Sequence, residues 1–385
     1  MIITKLLFYI SGLVIFWAMI GYPFFIRIIG KLYSGRKLVK DYSLQPTVTV
    51  MAVAHNEERI ILKKIKNMIE LDYPAEKIEF LIVSDCSNDK TNEIVKHFIE
   101  QNPDIKIKLH GVKERKGKTN AQNKAQKFVT TEFLVMTDAN AMLEKNAVKE
   151  LMAVFTADDI AYVSGCLLFI NKDSTKITTA ETLYWKREVK TREIEGRIQT
   201  IVAGNGAIYA CRTKEYFDFA PIQSHDIVMP LYYALNGKRA ICNHDAIAYE
   251  RTEEALTTEF MRKVRINRSI IKYIIPDIRI FNVFRYKWFS CFYFGHKSCR
   301  FLLWIAHLFV LISNILLACQ HWFYTVMLCL QAMFFLSAIT ASLFNINQRY
   351  LNLITHYCIA VLAQWVAVIK ILTGKSKPFW ESNRN

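Results

Sequence analysis

The sequence predicts an α/β protein built on a mostly parallel sheet, with membrane-spanning helices at both ends. Three observations carry this. Between residues 46 and 140, strand-like apolar runs alternate with stretches of helical periodicity. The chain has 385 residues and is 52% hydrophobic yet 22% charged, too large for one core and too polar to be membrane throughout. Apolar stretches of about 20 residues, the length that crosses a bilayer, lie near each end.

Leu6 to Ile29 is the first of these stretches, interrupted by Pro23 and by Arg27 near its end. It is longer than the apolar region of a signal peptide and lacks the small residues of a cleavage site, so residues 1–30 are expected to remain as an anchor. Arg27, Lys31, Arg36, Lys37 and Lys40 follow it, while Lys5 alone precedes it. That asymmetry predicts a cytoplasmic central region.

Val48 to Ala54 is a continuous apolar run, as in a strand covered on both faces. A helix follows from Asn56-Glu57-Glu58, with Ile61, Ile65, Met68 and Ile69 on one face, and Asp72-Tyr73-Pro74 breaks it. Phe80 to Val83 forms a second strand, and Ser84 to Asp89 leads into a helix carrying Ile94, Val95, Phe98 and Ile99. Ile105 to Leu109 is a third strand, Thr119 to Phe128 a helix, and Phe133 to Met136 a fourth strand. A βαβ series of this kind gives parallel strands with helices on both faces.

From Phe281 to Arg300 aromatics alternate with Arg285, Lys287, His296, Lys297 and Arg300, so residues 276–300 are expected to lie in the lipid headgroup layer. Phe301 to Cys319, Trp322 to Phe344 and Tyr350 to Leu372 each reach spanning length, placing about three helices within residues 301–373. Three crossings would put the tail, residues 374–385, outside the cell. Its Lys375, Lys377 and Arg384 favour the cytoplasmic side, so its side stays open.

The net charge is +16, without a zinc-finger, recognition-helix or aromatic RNA-binding motif. Anionic membrane lipids and a phosphate-bearing substrate are sufficient partners, and no nucleic acid is expected. The nine cysteines are scattered with no C-x-x-C pair, which suits a reducing compartment and neither a disulfide framework nor a zinc site.

Four short stretches carry chemistry. Val83-Ser84-Asp85 and Thr137-Asp138-Ala139-Asn140 each set a carboxylate at the end of an apolar run, where open α/β sheets bind ligands. Ser224-His225-Asp226 offers a candidate general base, and Arg262-Lys263-Val264-Arg265 sets two guanidinium groups one helical turn apart, suited to a pyrophosphate.

With Val53-Ala54-His55-Asn56-Glu57-Glu58, Cys86-Ser87-Asn88-Asp89, Lys116-Gly117-Lys118 and Gly204-Asn205-Gly206-Ala207, these stretches in their order resemble glycosyltransferase family 2. That family includes cellulose, hyaluronan, chitin-oligosaccharide and poly-N-acetylglucosamine synthases. The resemblance covers roughly residues 46 to 300 by motif and the whole chain by layout. It implies the nucleotide-diphosphosugar fold called GT-A, over residues 46–275, on the cytoplasmic face of a plasma or inner membrane.

The resemblance also implies roles. Asp85 would hold the uridine, with Ala54, Asn56 and Glu57 walling the nucleoside pocket, and Lys118 would approach the nucleotide or donor sugar. Asp138 stands where the family has Asp-x-Asp, and with Asn140 would hold Mg2+ or Mn2+ across the diphosphate. Gly204, Asn205 and Gly206 would border the sugars. Asp226 would be the base that draws the proton from the acceptor hydroxyl in an inverting transfer, beside His225, where the family usually has an acid. Arg262 and Arg265 stand at the family's Gln-x-x-Arg-Trp, with Arg262 for the glutamine and Ile266 for the tryptophan. The family's tryptophan borders the acceptor sugar, so its loss weighs against processive extension. Asp245 and Glu250 lie outside these motifs and are expected to be surface or structural residues.

The expected function is transfer of a sugar from a UDP-sugar to a growing polysaccharide or other glycan acceptor at the membrane. Transfer of a single sugar to a lipid acceptor, and a non-catalytic scaffold or channel, stand as alternatives.

Overall fold

The computed structural model describes residues 2–33, 35–170, 176–251, 256–344, 346 and 348–379. Arg384 and the end of the tail lie outside them. The chain forms two compact units, one from Met1–Leu32, Asn171–Tyr184 and Thr252–Ser376, the other from Tyr33–Ile170, Trp185–Arg251 and Lys377–Asn385.

Among the described residues, the second unit is organised by eight strands: β1 (Val48–Ala54), β2 (Ile78–Ser84), β3 (Ile107–Gly111), β4 (Phe133–Asp138), β5 (Met142–Leu143), β6 (Ile160–Phe169), β7 (Ile208–Arg212) and β8 (Arg239–Glu250). They make one sheet in the order β3-β2-β1-β4-β7-β6-β8-β5. β1, β2, β3 and β4 pair in parallel, as the βαβ pattern requires. Beyond β4 the sheet becomes mixed. β7 runs antiparallel to both β4 and β6, β6 pairs with β8 in parallel, and β5 closes the edge antiparallel to β8.

β1 is the axis of the parallel half, and its alternating side chains serve two faces. Val50 and Ala52 pack with Ile61, Ile65 and Met68 of the helix Ile61–Ile69. Met51 points the other way, among Ala121, Ala125, Met229 and Tyr233. Register then sets the site. Ala54 pairs with Ser84 and Val53 with Asp138, so Ala54, Asp85 and Asp138 emerge at one edge of the sheet.

Among the described residues, the other unit holds three helices long and apolar enough to cross a membrane: Ile2–Leu32, Trp322–Leu343 and Arg349–Leu372. The span expected from Phe301 differs. Leu303–Leu317 has 15 residues, about 22 Å of helix, short of a bilayer core of roughly 30 Å. It reaches spanning length only with Trp288–Phe301, from which it is bent by 61°. Phe8 packs with Leu317 and Tyr324, and Ala18 with Leu303 and Val361.

Candidate active site

The first wall of the site is a pair of turns at the ends of β1 and β2. Asn56 and Cys86 both take positive φ, 54° and 58°. Asn56 is locked there by a reciprocal pair with Asn88: its Nδ2 donates to Asn88 Oδ1 over 2.6 Å, and its Oδ1 accepts from the Asn88 amide over 3.0 Å. The Glu57 amide donates to Thr91 Oγ1 over 2.9 Å, and its carbonyl accepts from the Ile61 amide, starting the helix Ile61–Ile69. Ala54 is buried, its carbonyl accepting from the Asp85 amide over 2.9 Å.

Asp85 is 3% exposed. Its carboxylate accepts the Gly117 amide over 3.0 Å and the Lys116 amide over 3.4 Å, so it shapes the loop that carries Lys118. Burial pushes the Asp85 carboxyl above its ordinary value, against the pull of those amides, of His55 and of Arg115. Gly117 needs to be glycine twice over: its φ is +89°, and a Cβ there would stand 2.5 Å from the Pro378 carbonyl oxygen. Lys377–Phe379 thus return to this loop, with the Arg115 guanidinium 4.7 Å from the Phe379 ring centroid.

Lys118 begins the helix Lys118–Ala125. Its ammonium donates to Asp138 Oδ1 and, over 2.8 Å, to the Gly206 carbonyl. The same helix fixes the approach to the candidate base. Thr119 Oγ1 donates to the Gln223 carbonyl over 2.7 Å and Asn123 Nδ2 to the Phe219 carbonyl over 2.8 Å.

Asp226 lies in the first turn of the helix His225–Leu235, where a carboxylate is favoured by the helix dipole. Ser224 Oγ donates to its Oδ1 over 2.5 Å, and its carbonyl accepts from the Gly204 amide over 2.6 Å. A Cβ on Gly206 would stand 3.9 Å from both Asp226 Cγ and Lys118 Nζ, so these two groups flank one small open space. Gly204 has a packing role: a Cβ there would sit 2.0 Å from the Tyr162 hydroxyl. Asn205 is buried, its amide donating to Ser164 Oγ over 2.8 Å and its Oδ1 accepting from the Ala207 amide over 2.9 Å. His225 is buried too, sharing a 3.1 Å hydrogen bond with the Tyr216 hydroxyl and meeting the Phe219 ring edge-on at 4.2 Å.

Asn140 brings in a residue that the motifs miss. Its Nδ2 donates to Glu250 Oε1 over 2.5 Å. Glu250, expected at the surface or in a structural role, ends β8, and the pairing of β5 with β8 sets it beside the turn that follows Asp138. Asp245, its companion in that expectation, pairs with Lys40 over 2.5 Å.

Arg262 and Arg265 lie in the other unit, on the helix Leu256–Ile266, whose Val264 packs on Ala363 and Ala367. Arg262 donates to Glu259 through Nε over 2.6 Å and NH2 over 2.9 Å, and Lys263 Nζ joins at 2.9 Å. Burial would push the Glu259 carboxyl up, but these two cations outweigh it and hold it at about 2. Arg265 is half-buried one turn further on.

Residues 49–218 match the family model described as glycosyl transferase family 2. A probable glycosyltransferase, YdaM, of Bacillus subtilis is 32% identical over 183 residues, covering 45% of this chain and 43% of its own length. The chain therefore matches less than half of that relative. Poly-β-1,6-N-acetyl-D-glucosamine synthase of Staphylococcus epidermidis is 23% identical over 355 residues, covering 90% of this chain and 84% of its own. Among solved structures, the mannosyltransferase PcManGT of Pyrobaculum calidifontis, in complex with GDP-Man and Mn2+, is similar with a TM-score of 0.73 at 20% identity, over 96% of this chain and 99% of that one. That likeness establishes the fold. Residues 49–218 are thus similar to glycosyltransferase family 2, and they lie on a mixed α/β sheet of the GT-A type.

Proposed function

We propose that this enzyme transfers a sugar, with inversion, from a UDP-sugar to a glycan acceptor at the membrane. One observation carries most of this: Lys118 touches Asp138 and Gly206, and Gly206 separates Lys118 from Asp226, which supports a donor diphosphate on one side and an acceptor hydroxyl on the other. Asp226 takes the acceptor proton as the acceptor oxygen bonds to the anomeric carbon and the bond to UDP breaks. The Ser224 hydroxyl orients that carboxylate. Asp85, Ala54, Asn56 and Glu57 form the nucleoside wall. Lys118 serves the diphosphate. Gly204 and Asn205 shape the backbone behind the sugars, and Gly206 leaves room for them.

The donor set at the β4 turn fits a hard divalent cation, Mg2+ or Mn2+. Asp138, the Asn140 amide oxygen and Glu250 are all oxygen donors. Asp138 and Asn140, with Glu250 beside them, would hold the cation, and among the described residues no group of three or more His, Cys, Asp or Glu stands there. Once bound, it would stabilise the charge that gathers on departing UDP.

A cytoplasmic catalytic domain follows from the cations after the first span. Lys377–Phe379 belong to the catalytic unit. Their contact with Gly117 and Arg115 supports a tail on the catalytic side, hence an even number of crossings between Arg251 and Lys377. A second reading, addition of one sugar to a lipid acceptor, is favoured by Ile266, which is 47% exposed where the family has tryptophan.

Incubating detergent-purified protein with UDP-sugars and GDP-mannose, in the presence of membrane lipid and glycan acceptors, and weighing the products tests the proposal. A ladder of lengths from a UDP-sugar supports it. One addition supports the lipid reading, and transfer from GDP-mannose alone contradicts the donor assignment.

A further inference from the structure

Lys64 and Asn67 lie three residues apart on the helix Ile61–Ile69 and so share a face. That face meets the turn after β4. Lys64 is completely buried, at 0% exposure. Its ammonium donates to Thr137 Oγ1 over 3.0 Å and to the Ala141 carbonyl, gripping the two residues on either side of Asp138-Ala139-Asn140. Asn67 adds a reciprocal pair just beyond: its Nδ2 donates to the Leu143 carbonyl over 2.8 Å, and the Leu143 amide donates to its Oδ1 over 2.8 Å.

A buried ammonium is costly to desolvate, and a methionine of similar length would fill the same space without that cost. Burial pulls Lys64 down to about 7, with the Asp138 charge opposing the fall and the Lys118 charge adding to it. The lysine is therefore electrostatically part of the Asp138 site while its side chain lies behind it. The first residue of the same helix, Ile61, donates its amide to the Glu57 carbonyl, so one element touches both the nucleoside wall and the turn.

We propose that Lys64 and Asn67 are positioning residues that hold the 138–143 turn so that Asp138 and Asn140 present their oxygens together to the donor diphosphate and its cation. This rests on the assignment of that turn to the donor site. Groups that orient ligands from behind typically change affinity ten- to a hundredfold when removed.

The test uses the full chain in detergent, with UDP and MnCl2 as probes. UDP binding is measured calorimetrically across a Mn2+ series, together with Tm, donor KM and kcat, for Lys64→Met, Lys64→Arg, Asn67→Ala and Asp138→Ala. Lys64→Met should stay folded at the assay temperature, weaken Mn2+-dependent UDP binding about ten- to a hundredfold and raise donor KM more than it lowers kcat, with Lys64→Arg recovering part of the loss. If Lys64→Met does not fold, Asn67→Ala decides, and it should weaken binding in the same sense. Parental UDP binding in folded Lys64→Met, or in Asn67→Ala where the former does not fold, overturns the proposal while Asp138→Ala still loses binding. Parental binding in Asp138→Ala overturns the donor-site assignment and the proposal with it.

Discussion

Asn140 donates its side-chain N–H to Glu250 Oε1 over 2.5 Å, tying the turn after β4 to the end of β8. The amide can do this because it carries a donor, which an aspartate at 140 would lack. Asn140→Asp would set two carboxylates against each other, an arrangement that a divalent cation relieves. The variant should reach half-maximal rate at a several-fold lower Mn2+ concentration, and its Tm in chelator should fall by a few degrees and recover with Mn2+. Thermal unfolding with and without the cation, beside a rate titration, checks this. Unchanged values on both counts would remove the pair from the cation site.

Two glycines two residues apart, Gly204 and Gly206, should answer differently to the same methyl group. On Gly204 it would meet the Tyr162 hydroxyl at 2.0 Å, in a part of the core with no room to yield. Gly204→Ala should cost about 1–3 kcal/mol of stability, as overpacking does. On Gly206 it would lie 3.9 Å from Asp226 Cγ and Lys118 Nζ, an ordinary contact. Gly206→Ala should fold normally yet lower kcat/KM roughly tenfold to a hundredfold, by filling the space that reactants need. Equal loss of Tm in both variants would assign Gly206 a packing role.

Glu259 supplies a pH signature in the membrane unit. Its folded pKa is depressed to about 2 from an ordinary 4.5, so its contribution to stability is present above about 4.5 and disappears as pH falls toward 2. Glu259→Gln should flatten the fall of Tm over that window and leave a lower Tm at pH 6. A parental slope in the variant would show that other carboxylates govern acid unfolding.

The parallel half of the sheet was legible because β1, β2 and β4 are apolar runs bounded by turn residues, with Val48–Ala54 matching to the residue. The mixed half was not. After Met136 no regular alternation announces that β7 returns antiparallel between β4 and β6, a choice made by long-range packing. Asp85, Lys118, Asp138 and Asp226 could be picked out by their motifs, but Glu250 could not, since it reaches Asn140 only through the pairing of β5 with β8. Lys64 had a signal that its charge concealed. It stands three residues after Ile61 and four before Met68, inside the apolar stripe, so helical period alone places it inward.

The most direct measurement is sugar transfer by Asp226→Asn, made beside its affinity for UDP. In the proposed mechanism Asp226 acts on the acceptor hydroxyl, whereas the turns at the ends of β1, β2 and β4 hold the nucleotide. The variant should therefore lose roughly 10²–10⁴ in kcat while binding UDP within about twofold of the parent. Near-parental turnover would take Asp226 out of the mechanism, and a parallel loss of UDP binding would mean that its carboxylate builds the donor pocket instead.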